Sequence, residues 1–400
     1  MDFVCLVGAL VGLHACMASV RVTASLFLLQ QGQPEWMVGV LLSLFAVAPL
    51  ALSLWAGRLA DRHGLHRPMA VSVVMAGIGA GVMVASQHLA ALALGSLLTG
   101  GALSVGAVAM QRHAGRLASE PRQLKRVFAW VSLGPALSNA LSPVVAGLLI
   151  DAVSFRAAFA FGLLMPALAW WLTLKVPREV PAGLRHGASG AMAPATASGT
   201  VGRRRSTWGL LRLPALRRLL VINVVLAACW DAHMFAVPVI GHGRGLSASE
   251  IGLVLGAFAV AATVVRLAIS AFGDRIEERT VLRAAMVLAA VVLVVYAWLP
   301  GGAGMMAGSA LLGLALGSVQ PVVLALLHQV TPHDRHGEAL GVRMLATNAA
   351  TVAMPSSFGL LASATVAAAP MWLMAALVGV AYAALVRLNA ATGSQPPGDR

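Results

Sequence analysis

Long apolar runs broken by short polar stretches recur along the whole chain. They predict helices at 3 to 29, 36 to 56, 68 to 86, 89 to 110, 127 to 150, 157 to 175, 218 to 240, 250 to 272, 282 to 299, 303 to 330, 338 to 363 and 368 to 388. Each is close to the ~20 residues that a helix needs to cross the hydrocarbon of a bilayer. The pattern therefore reads as twelve spans. The dyad alternation of a membrane barrel strand is missing. The first run begins with Asp2 instead of a basic segment and continues too long for a cleaved signal, so it stays as span 1.

Composition agrees. Of 400 residues, 59% are hydrophobic and 10% charged, against ~25% charged in ordinary soluble domains. A soluble enzyme is excluded, and the fold class is an all-α membrane protein. The 41 glycines suit close helix-to-helix approach. The net charge of +14 could point to nucleic acid, but its distribution decides otherwise. With Met1 inside, 23 of the 28 basic residues fall in inside loops or the tail, and only Arg156 and Arg244 lie outside. The positive-inside rule then places both termini in the cytoplasm of a multi-pass inner (plasma) membrane protein. Such scattered loops offer no nucleic-acid surface, and lipid headgroups are the partners expected for them. Cys5, Cys16 and Cys229 have no metal or disulfide spacing, and the His63/His66 and His333/His336 pairs lack further ligands, so no cofactor or metal is expected.

The low-complexity stretch within 177–216 reads as a cytoplasmic linker. It separates a six-helix bundle at 1–176 from a second at 217–389, with a tail at 390–400. An offset of 213 residues aligns the two halves, with nine identities in the 27 positions from Trp36 to Arg62. The matches include Gly39 with Gly252, Phe45 with Phe258, and Asp61-Arg62 with Asp274-Arg275. At an offset of 212, Pro143 and Gly147 match Pro355 and Gly359. Two parallel six-helix repeats form the architecture of a rocking secondary transporter with a cavity between its halves.

Behind span 2 stands Gly57-Arg58-Leu59-Ala60-Asp61-Arg62-His63-Gly64-Leu65-His66-Arg67. This segment resembles the loop signature of the major facilitator superfamily, and Gly134-Pro135 with the Pro143-to-Gly147 spacing extends the likeness over essentially the whole chain. The resemblance implies a cytoplasmic gate built from Gly57, Arg58, Asp61, Arg62, Gly64 and Arg67. It would pack against the start of span 11 at Gly337-Glu338, with Asp274 and Arg275 as a weaker second copy. Asp61 would favour the positive end of a helix, and the arginines acidic partners. The second copy has Ser270 where Gly57 stands and Glu277-Glu278 in place of the basic run. The stretch from Gly95 to Gly106 in span 4 lacks the arginine that proton-coupled drug exporters of the superfamily usually carry there.

Charges at bilayer depth each need a partner or a wet cavity. Asp231 is the one clearly intramembrane acid, ~20 Å from the inner end of span 7, and Arg21 lies ~27 Å along span 1. The family resemblance implies that spans 1, 4, 7 and 10 line the cavity. They carry His14 and Arg21, Thr99 and Ser104, Asp231 and His233, and Gln320 respectively. Trp230 and Phe235 are candidates for the binding surface. Arg21 pairing with Asp231, with His233 or His14 nearby, would couple proton binding to a change of access; a static pair fixing spans 1 and 7 is the alternative. Arg266 is expected to reach a partner on helices 7 to 12 or to support the second gate, and Arg343 to snorkel to the cytoplasmic surface.

The sequence thus predicts a monomeric secondary transporter moving a small organic solute by alternating access, coupled to protons, and no enzyme. Drug/proton efflux and organic-anion uptake stay open within transport. A transporter-like membrane sensor is the reading from another class.

Overall fold

In a computed structural model, the described residues are 2–117, 121–177, 211–272, 277–332 and 335–392. Most of the expected linker and tail, together with Asp274 and Arg275, lie outside them. The described chain is helical throughout: α1 (Asp2–Gln30), α2 (Glu35–His63), α3 (His66–Ala85), α4 (Leu89–Leu117), α5 (Pro121–Ala152), α6 (Phe155–Leu174), α7 (Pro214–Gly243), α8 (Ala248–Phe272), α9 (Glu278–Val295), α10 (Gly301–Val330), α11 (His336–Ala364) and α12 (Ala369–Thr392). A short 3-10 turn at Tyr296–Trp298 follows α9. Short connections make consecutive helices within each half antiparallel, and late α5 meets the start of α8 as late α11 meets the start of α2, which orients the halves alike. One end of the molecule, called the basic end below, therefore carries the α2–α3, α4–α5, α8–α9 and α10–α11 connections.

Ten of these helices are long and apolar enough to cross a membrane. Their outward residues, among them Val74, Ile78, Leu164, Val260 and Val291, are exposed aliphatics. In water such a surface would be a liability; against lipid tails it is the expected exterior. The chain is a multi-pass membrane protein. α11 falls outside the ten because one of its faces is polar, carrying Arg343, Thr347, Asn348 and Thr351. That stripe has a use, described below.

The helices run past the bounds read from hydropathy, most of all at the basic end. α2 does not stop near residue 56; it continues through the signature segment to His63. Gly57 to His63 are thus the last two turns of a helix and not a loop. Nothing in that stretch breaks the backbone ladder until Gly64, whose φ of 67° ends it. Hydropathy marks where a helix leaves lipid, and hydrogen bonding continues beyond.

The repeat is visible in the packing. α2 lies on α4 as α8 lies on α10, α1 on α6 as α7 on α12, α3 on α6 as α9 on α12, and α1 on α5 as α7 on α11. The same relation exchanges the contacts between halves, α5 with α8 and α11 with α2.

Candidate functional site

The repeated residues meet at the contacts between halves. A Cβ on Gly39 of α2 would run into the carbonyl of Pro355 in α11, and one on Gly252 of α8 into that of Pro143 in α5. Gly359 and Gly147 face the starts of α2 and α8 in the same way. Only glycine permits this backbone approach.

Each crossing is capped from the other half. Asp151, at the end of α5, accepts hydrogen bonds at the start of α8 from Ala248 N (3.1 Å), Ser249 N (2.7 Å) and Ser249 Oγ (2.5 Å). At the equivalent place Ser363 of α11 accepts from Trp36 N at 2.9 Å and donates to Glu35 Oε2 at 3.0 Å. A carboxylate at a helix N-terminus satisfies orphan amides and meets the positive end of the dipole. Ser43 Oγ, 2.8 Å from Ser356 Oγ, adds a further bond between α2 and α11. All of this lies at the end opposite the basic one, and it closes the halves together there.

On the basic side of these contacts is a cavity of about 420 Å³ lined by α5, α7, α8, α10 and α11. The helical period decides which side chains enter it. Ala259, Ala262, Thr263 and Arg266 form one face of α8; Asn223, Leu226, Ala227, Trp230 and Asp231 form one of α7; and the polar stripe of α11 supplies Arg343, Thr347, Asn348 and Thr351. Gln320 on α10 and Asn139 on α5 complete the polar set. A second cavity of about 220 Å³ adjoins it toward the closed end, and Asp231, Asn348 and Thr351 line both. Arg21 and Met234 line the second.

Arg21 and Asp231 therefore share one cavity. Their opposite charges act on one another through space, but no hydrogen bond or direct ion pair joins them.

Arg266 reaches helix partners, on α7 and α10, as expected, whereas Arg343 departs from the role expected of it. Arg266 places its guanidinium over the Trp230 ring, 5.6 Å from the centroid, and its Nε donates to the Gly317 carbonyl at 3.3 Å. Arg343 does not snorkel outward. Its Nη1 donates to Asn223 Oδ1 at 3.3 Å, while Asn223 Nδ2 donates to Thr347 Oγ1 at 2.8 Å, and its Nε is buried without a partner. The i, i+4, i+8 spacing of Arg343, Thr347 and Thr351 is the sequence signal that could have placed Arg343 in the cavity.

The remaining candidates lie elsewhere. His233 is fully buried, stacked on Phe258 with ring centroids 4.2 Å apart, and its Nε2 is 2.8 Å from Ser309 Oγ. Ser309 Oγ in turn is 2.6 Å from Tyr296 Oη, which donates to the Met305 carbonyl at 3.2 Å. This chain joins α7 to α10 and points away from the cavity. Phe235 is buried beside Phe358, and His14 Nδ1 donates back to the Leu10 carbonyl at 3.1 Å.

At the basic end, Arg58, Arg62 and Arg67 are exposed, and Gly57 has open space where a Cβ would stand. Asp61 Oδ1 accepts from Arg112 Nε at 2.8 Å, and its carbonyl from Arg112 Nη2 at 3.2 Å. Glu338 pairs with Arg335 at 2.6 Å. The motif carboxylate is thus held by α4 of its own half, and Glu338 by the residue that precedes its helix.

The family profile described as Major Facilitator Superfamily matches residues 6–228 and again 219–400. The class G tetracycline resistance protein of Vibrio anguillarum is 26% identical over 348 residues, spanning 84% of this chain and 82% of that protein. Among solved structures, the nucleoside transporter NupG superposes with a TM-score of 0.77 at 14% identity, over 97% of this chain and 99% of its own. A bacterial homologue of the human lysosomal transporter Spinster, inward-facing and unoccupied, gives a TM-score of 0.75 at 11% identity over 99% and 98%.

Proposed function

The chain belongs to the Major Facilitator Superfamily, which makes it a membrane transporter and not an enzyme, and from that premise we propose that it moves a small organic solute by proton-coupled alternating access. All twelve helices cross the bacterial inner membrane, with both termini in the cytoplasm. The observation that carries this reading is a polar, charged cavity between two pseudo-symmetric halves that are sealed at one end by matched helix crossings.

With the basic end inside, the cavity faces the cytoplasm. Alternation would open the α2–α11 and α5–α8 crossings and close the basic end. Asp61 would then exchange Arg112 for the start of α11, the contact that the signature implies. Asp231 is placed to couple the two events, because it lines both cavities and feels Arg21 without being locked to it. A proton on Asp231 removes the attraction between α7 and α1, and solute bound beside it changes the field at the same carboxylate.

The test is flux in proteoliposomes under an imposed pH gradient. Asp231→Asn, whose side chain cannot titrate, should lose gradient-driven accumulation at least tenfold while retaining downhill exchange. Accumulation that stays fully driven by the gradient in this variant refutes coupling at Asp231. Export of an amphipathic solute is the direction favoured by similarity to the tetracycline resistance protein.

A further inference from the structure

The geometry points to the class of solute: the cavity selects an amphipathic organic carboxylate, with its carboxylate held between Arg266 and Arg343 and its apolar, planar body against Trp230. This inference rests on the transport reading for the site's purpose, and it draws on the charge balance of the cavity walls for the solute.

Among the described residues, the guanidinium groups of Arg21, Arg266 and Arg343 face the joined cavities against one carboxylate, that of Asp231. Arg21 and Asp231 offset one another through space. Among the described residues, Arg266 and Arg343 have no carboxylate partner and are met by the Gly317 carbonyl, the Trp230 ring and Asn223 Oδ1. Neutral acceptors leave both charges uncompensated. Closing the cavity around them would remove water from two cations, which is unfavourable unless a counter-charge enters with the solute. A cationic solute would worsen the balance, and an uncharged one would leave it as it is.

The head group follows from the donors. Each guanidinium has N–H groups that the contacts above leave unused, including the buried Nε of Arg343, and planar forks of this kind match carboxylate oxygens. The body follows from the walls. Leu226, Ala262, Leu316 and Val319 are apolar, and Trp230, steadied edge-on by Phe258 at 4.5 Å, offers an aromatic surface beside Arg266. Asn139, Asn348 and Gln320 can bond neutral substituents. A volume of about 420 Å³ is within the range of small-molecule sites.

The experiment uses the full chain in nanodiscs with three isosteric probes: 2-naphthoate, 2-naphthamide and 2-naphthylmethylammonium. The carboxylate should bind at least tenfold tighter than the amide, and the ammonium weakest, as expected where charge-assisted hydrogen bonds replace neutral ones. Arg266→Gln and Arg343→Gln should each reduce the carboxylate-over-amide preference about tenfold while leaving amide binding within about twofold. Arg266→Lys and Arg343→Lys, which keep the charge but lose the planar fork and test whether the fold survives, should retain part of the preference, between the arginine and glutamine forms. Ammonium binding as tight as carboxylate binding, no binding of any probe, or a preference unchanged in both glutamine variants overturns the inference. Carboxylate binding without flux in proteoliposomes upholds it and refutes the transport reading. Saturable flux of the ammonium probe that both glutamine variants leave intact refutes it and upholds transport.

Discussion

Asp231 and His233 stand two residues apart on α7 and have different surroundings. Successive helical residues turn by about 100°, so two steps carry a side chain to the other side of the helix. Asp231 enters the cavity and His233 enters the packing against Phe258 and Ser309. Phe235, four residues from Asp231, returns to nearly the same face one turn nearer the closed end, where α11 fills the space with Phe358. His233 is accordingly expected to be structural. His233→Ala should lower stability by roughly 2 kcal/mol, since it opens a cavity and leaves Ser309 one bond short. His233→Gln should recover part of that loss. Thermal unfolding in detergent measures both, and flux under a pH gradient should stay coupled in each. Sequence composition identified α7 as the helix that bears the charge. It could not say which neighbour of Asp231 shares the cavity, because proximity along the chain does not fix direction around the helix.

At the scale of elements, the seal between halves depends on glycine crossings and on caps donated across the interface. Removing the Asp151 carboxylate frees the amides of Ala248 and Ser249 at the start of α8. A cap of this kind contributes about 1 kcal/mol, which converts to roughly a fivefold shift between closed and open. Asp151→Ala should therefore raise, about fivefold, the labelling of a cysteine placed at Val144, which lies against Gly252 at the α5–α8 crossing, by an impermeant maleimide added from outside. Gly252→Ala should act in the same direction and further, because its Cβ meets the Pro143 carbonyl. Unchanged labelling in both would show that these crossings do not set the equilibrium. The glycines and prolines at the crossings were legible as an internal repeat; the capping Asp151 and Ser363 were not. Nor was the meeting across the interface, since an alignment of one half on the other says nothing about which half touches which.

For the whole molecule, the excess of basic residues in the α2–α3, α4–α5 and α8–α9 connections predicts orientation. A fluorescent reporter fused after Arg400 should fluoresce in the cytoplasm, and alkaline phosphatase fused there should stay inactive. The opposite pair of results would reverse the topology and put the cavity on the outer face. The sequence by itself determined the number and order of the helices and the duplication. These follow from apolar length and self-similarity, both of which are local or additive along the chain. Only the tertiary structure decided that the cavity is built mainly from the second half, that Arg266 and Arg343 turn into it, and that Asp61 is held by α4. Each of these depends on helix phase and on which neighbour lies opposite. That partner is fixed by packing between segments far apart in the chain.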